Sequence, residues 1–104
     1  MKTPVSFEIA KLLKEKDEIF DVTSTLDYPT IAEVVMWLYE KHRIWISVYT
    51  METWPNGNER KQLFDYSLKQ MRFGLIDISK KPEEFNSPTE AYEASIEFTL
   101  KNLI

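Results

Sequence analysis

The stretch from Pro29 to Thr50 (PTIAEVVMWLYEKHRIWISVYT) constrains the fold more than any other part of the chain. Thr30 followed by Glu33 is a capping box, in which the hydroxyl takes an N–H of the first turn and the carboxylate reaches back to the cap. Pro29 keeps Tyr28 out of the α region and sharpens the helix start. Behind the cap, Ile31, Val34, Val35, Leu38 and His42 share one helical face, flanked by Trp37 and Lys41. Ala32, Met36 and Tyr39 leave this helix apolar nearly all round, so it is expected to be covered on more than one side. Ile44 to Met51 (IWISVYTM) then changes to β-branched and aromatic residues, which predicts a strand. Its alternation sends Ile44, Ile46 and Val48 toward the helix and Trp45, Ser47 and Tyr49 the other way.

The rest of the chain arranges itself around that helix–strand unit. Thr3-Pro4 offers a start for a first helix, with Ser6 as the competing cap, and Ile9, Leu12, Leu13 and Lys16 form its stripe. Asp17 to Tyr28 has no sustained period and reads as an acidic loop anchored by Ile19, Phe20, Val22 and Leu26. Pro55-Asn56-Gly57-Asn58 is a turn between two strand-like runs, which predicts a hairpin. In its second arm Phe64, Tyr66 and Leu68 alternate inward, with Asp65, Ser67 and Lys69 outward. Phe73 to Ile78 is a weaker third strand, with Gly74 as a bulge. Ser87-Pro88-Thr89-Glu90 is a second capping box, now with Pro at the first helical position. It opens a last helix with Tyr92, Ile96, Thr99 and Leu103 on one side, widened by Ala91, Ser95 and Phe98. The expected fold is α+β, in the order α-α-β-β-(β)-α. A small antiparallel sheet packs against helices in a single domain over residues 1–104.

Composition removes several function classes. With no cysteine there is no disulfide, no thiolate nucleophile and no Cys-containing metal site. One histidine and two glycines, Gly57 and Gly74, leave no clustered imidazoles and no phosphate-cradling loop. No apolar run reaches the ~20 residues of a membrane span. The N-terminus carries Pro and charges where a signal peptide needs an apolar segment, so the expected location is cytoplasmic. The alternating carboxylates of the acidic loop lack the spacing and turn glycine of a calcium loop. His42, in Glu40-Lys41-His42-Arg43, stands at a helix C-terminus, where a cation is favoured by the dipole and packing at the joint suffices to explain it. Carboxylates are numerous, among them Asp65, Asp77, Glu83 and Glu84, yet only an environment that separates two pKa values makes a pair catalytic. The expectation is a non-enzymatic protein without cofactor or metal.

Two binding readings remain. Three Trp, five Tyr and six Phe exceed what so small a domain buries completely. Trp45, Tyr49 and Trp54 are therefore the expected interaction face, for a protein partner or for self-association through a strand edge. The alternative is single-stranded nucleic acid stacked on those rings and held by Arg60, Lys61, Lys69 and Arg72. A net charge of −4 opposes indiscriminate phosphate binding. The α-β-β-β-α tail resembles double-stranded RNA-binding domains in outline only, and Pro88, Glu90 and Glu93 stand where that domain type needs a basic cluster at the start of its final helix.

Three segments carry a resemblance. They are Val5-Ser6-Phe7-Glu8 with Ala10-Lys11-Leu12 and Lys14-Glu15-Lys16; Tyr28-Pro29-Thr30 with Trp37-Leu38, Glu40-Lys41-His42 and Ile44/Ile46; and Glu90-Ala91 with Glu93. Together they resemble a group of small uncharacterised proteins of about this length encoded by gut bacteria and their phages or prophages. Members often have Gly-Phe after the first helix, where this chain has Asp17-Glu18-Ile19-Phe20. The resemblance spans about half the chain. It implies a mobile-element context and no known activity, and it transfers no catalytic or binding residue.

Overall fold

The computed structural model describes residues 3–16, 28–53, 61–71, 76–78 and 83–104. The elements are α1 (Phe7–Lys16), α2 (Ile31–His42), β1 (Ile44–Thr53), β2 (Lys61–Gln70), β3 (Ile76–Ile78) and α3 (Pro88–Asn102). The fold is α+β. The three strands form one antiparallel sheet in the order β1-β2-β3. The β1–β2 register runs from Ile44 opposite Gln70 to Thr53 opposite Lys61. The third strand is Ile76–Ile78, paired with the end of β2 from Leu68 to Gln70. Residues 73–75 of the expected third strand, the 55–58 turn and the 17–27 acidic loop lie outside the described residues.

Side-chain alternation on β1 and β2 places the core. Ile44, Ile46, Tyr66 and Leu68 are buried on one face of the sheet, under Val34, Val35 and Leu38 of α2 and Ile96 and Leu100 of α3. α2 packs on β1, α3 crosses both β1 and β2, and α1 lies against α3. Burying each of these aliphatic side chains is worth about 1.5–3 kcal/mol, which is what holds three short helices in place.

The helix ends follow their caps. Ser6 rather than Thr3-Pro4 opens α1, with Ser6 Oγ 3.4 Å from the Ile9 N–H it faces. Pro4 is instead taken up in a bridge to Thr30, where Val5 N–H donates to Pro29 O and Ile31 N–H to Thr3 O. That pairing ties the front of α1 to the front of α2. Thr30 Oγ1 accepts from Glu33 N–H at 3.2 Å, and its hydroxyl donates to the Glu33 carboxylate. At α3, Ser87 Oγ accepts from Glu90 N–H while Glu90 Oε2 takes the Asn86 N–H.

The buried stripe of α3 is rotated from the expected one. Ala91, Ser95, Ile96, Thr99 and Leu100 are buried, and Tyr92, Phe98 and Leu103 lie at its margins. Small polar residues fit there because the helix satisfies them itself. Ser95 Oγ donates to Tyr92 O at 2.7 Å and Thr99 Oγ1 to Ser95 O at 2.8 Å.

Candidate interaction surface

The side of β1 that faces away from the helices is divided along its length. Same-face pairs on that side are Trp45/Lys69, Ser47/Ser67, Tyr49/Asp65 and Met51/Leu63. Toward the Met51 end the side is closed, with Leu63 and Asp65 buried. Toward the Trp45 end it is open.

Asp65 corrects the expectation drawn from alternation. It does point away from the helices, but only 1% of it is exposed. The reason is the chain returning toward α3, which bridges Phe85 to Phe64 through two backbone bonds of 2.9 Å. The Asp65 carboxylate then accepts from Tyr66 N–H at 2.7 Å, from the Tyr49 hydroxyl at 3.1 Å and from Glu83 N–H at 3.3 Å. Several donors of this kind are what a buried carboxylate requires. Partial desolvation, then the bond to Asp65 and its charge, push the Tyr49 phenol above its ordinary value. Burial, then the carboxylates of Glu83 and Asp65, push Tyr66 up to about 12. Both phenols keep their protons further into alkali than an ordinary tyrosine, and the bonds to Asp65 close this end of the sheet.

The open end is apolar. Met36, Trp45, Tyr49 and Met71 are exposed by 44%, 37%, 45% and 41%. Met36, Tyr39, Trp45 and Met71 line one groove of about 400 Å³. The Tyr39 and Trp45 rings meet edge to face at 5.5 Å and 81°. Met71 is held beside them because its N–H donates to Arg43 O at 2.8 Å. Arg43 is the turn itself, at φ 55 and ψ 35, and its N–H returns to Leu38 O and Tyr39 O. Glycine usually takes this left-handed position, because a Cβ costs about 1 kcal/mol there. The guanidinium over the Tyr39 ring, at 5.6 Å, offsets part of that cost. The α2 helix is covered by both β1 and α3, as a helix apolar nearly all round is expected to be, and is open at Met36.

Of the residues singled out from sequence, Trp45 and Tyr49 lie on this open end, with Lys69 directly opposite Trp45. Lys61 opens β2 opposite Thr53. Trp54, Arg60 and Arg72 lie outside the described residues. Met36, Tyr39 and Met71 escaped sequence reasoning. Met36 and Tyr39 sit three apart on α2, ahead of Trp45, where the sequence shows only a helix apolar nearly all round. Met71 had no periodicity to mark it. His42 ends α2 and packs edge-on against Trp37 at 5.1 Å, at the helix–strand joint. Among the described residues no three His, Asp or Glu side chains are grouped so as to hold a metal ion, and no helix is long and apolar enough to cross a membrane. Compared with protein-family models, with curated proteins and with solved structures, the chain matches none.

Proposed function

We propose that this protein is a non-enzymatic protein-interaction module of mobile-element origin, with the corner between α2 and β1 as its contact surface. The observation that carries the reading is the convergence of Met36, Tyr39, Trp45 and Met71, from three separate segments, on one apolar groove. Exposed apolar side chains scattered singly need no explanation, but a contiguous group marks a contact. Methionine and aromatic side chains are also the types that contact surfaces favour, the first because it adapts its shape and the second because it supplies area at low entropic cost. A nucleic-acid role shares Trp45 and Lys69 with this reading. The buried carboxylate of Asp65 beside Tyr49 weighs against a phosphate backbone on the same face.

Methionine oxidation in cells, compared with the dilute purified chain, tests the proposal. Free methionine under the same oxidant is the reference for each medium. Met36 and Met71 are expected to be several-fold protected in cells relative to the dilute purified chain. Equal rates in cells and in dilute solution would remove the contact surface.

A further inference from the structure

Backbone groups at the two sides of β2 and β1 can be assigned from one bond. Met71 N–H donates to Arg43 O across the end of the β1–β2 ladder. In an antiparallel ladder the bonded groups recur at every second residue. Odd-numbered residues of β1 therefore turn their N–H and C=O toward β2, and Ile46, Val48 and Thr50 turn theirs outward. The same alternation is independently visible on β2, where Phe64, opposite Thr50, bonds outward to Phe85. Among the described residues, no strand or bridge pairs with the outer edge of β1.

From this geometry we propose that a second copy of the chain occupies the edge, β1 pairing antiparallel with β1 of its partner about a two-fold axis at Val48. The proposal rests on reading β1 and its Trp45 side as a contact element, and adds a contact along the strand's outer edge. Centred on Val48, the register places Ile46 opposite Thr50 of the other copy, Val48 opposite itself and Thr50 opposite Ile46. Each pair exchanges two hydrogen bonds, so every outward N–H and C=O of these three residues is used. The parity also keeps both helical layers on one side of a continuous six-stranded sheet. On the other side it sets Trp45 beside Met51 of the partner, a sulfur–aromatic neighbour, and Tyr49 beside Ser47.

Charge permits this pairing. Each copy carries a net −4, but Glu52 is the one charged residue in Ile44–Thr53, and this register sends the two Glu52 side chains to opposite ends of the seam. Edge strands that must stay unpaired carry lysine, proline or a bulge, and β1 has none of these along its length. A strand of ten residues extends about 33 Å. A seam made along one strand edge falls below the ~800 Å² per partner of a standard stable pair. The pair should dissociate on dilution.

Sedimentation velocity over a wide concentration range tests the inference on the wild-type chain, Thr50→Pro and Thr50→Val. Thr50 is exposed and its N–H faces outward, so proline there removes no β1–β2 bond, whereas its ring obstructs an added strand. Valine keeps the N–H and the β-branched shape. The expected result is a concentration-dependent dimer for wild type and Thr50→Val, with Thr50→Pro folded by circular dichroism and monomeric throughout. A wild-type chain monomeric at every concentration would overturn the second copy, and so would a Thr50→Pro chain that dimerises like wild type. If Met36 and Met71 are nevertheless protected in cells, the contact reading stands with a different occupant. If they are not, both fall.

Discussion

The outward side of β2 and the outward side of β1 belong to the same sheet and are finished in opposite ways. On β2, each even-numbered position from Phe64 to Gln70 meets a group of the same chain on the outward side. Leu68 and Gln70 pair with β3, Tyr66 N–H is taken by the Asp65 carboxylate, and Phe64 is bridged to Phe85. Three unrelated devices, a short strand, a side chain and a returning loop, close one continuous edge. On β1, Ile46, Val48 and Thr50 present the same kind of backbone groups with no strand or bridge against them among the described residues. Among the described residues, then, one edge is closed by the chain's own groups and the other carries a single charge, Glu52, with no strand or bridge against it.

The comparison can be sharpened by substitution, beginning with the largest effect. Ile46 is buried under the helices, and Ile46→Ala should cost about 2–5 kcal/mol of folding stability in urea unfolding. A cost below about 1 kcal/mol would mean that the helix-facing side is not the core. Asp65→Ala removes the acceptor of three donors at the closed edge and should cost about 1–3 kcal/mol. Tyr49→Phe, which deletes one of those donors and leaves the carboxylate bonded, should cost about 1 kcal/mol or less. Equal losses for the two would deny Asp65 its closing role.

The closed edge also has a signature in alkali. Tyr66 titrates at about 12 in the folded chain against an ordinary value of 10.0. Between these values the unfolded phenol has lost its proton and the folded one has kept it, so stability falls as pH rises. The contribution is complete below pH 10.0 and is gone above about 12. Tyr66→Phe should flatten that part of the stability–pH curve, measured by urea midpoints. A curve with the same slope in both chains would show that Tyr66 is not held neutral there.

The smallest effects belong to the open corner. Trp45→Ser should change the stability of the dilute chain by about 0.5–1 kcal/mol, because the ring is more than a third exposed and packs mainly on Tyr39. Arg43→Gly relieves the left-handed backbone but removes the cation over Tyr39, and the two terms, each about 1 kcal/mol or less, should nearly cancel. A large loss from either would make the corner part of the core rather than a surface.

How much of this was legible in the residues follows from the range of the forces involved. Local signals were faithful. The Thr30 and Ser87 caps, the helix–strand order and the inward set Ile44, Ile46, Tyr66 and Leu68 all depend on neighbours within a turn or on a period of two. The start of α1 shifted from Thr3-Pro4 to Ser6 because Pro4 was recruited into a long-range bridge that no local rule contains. Alternation gives Asp65 an outward direction, and only the chain at Glu83 and Phe85 makes that direction an interior one. The groove was half legible. Trp45 and Tyr49 stood out by type, whereas Met36, Tyr39 and Met71 come together only when α2 folds back and Arg43 bonds Met71. That β1 is an edge strand depended on the order of the sheet, a property of topology that no single segment carries.

Amide hydrogen exchange of Ile46, Val48 and Thr50, followed from dilute to concentrated solution beside Phe64, Tyr66 and Leu68, tests the contrast between the two edges most directly. Phe64, Tyr66 and Leu68 should be slow at every concentration. Ile46, Val48 and Thr50 should exchange rapidly when dilute and slow down together as the chain is concentrated. If those three amides are as slow as the β2 set at the highest dilution, the chain covers the β1 edge itself. If they remain fast at the highest concentration, no second copy adds to it.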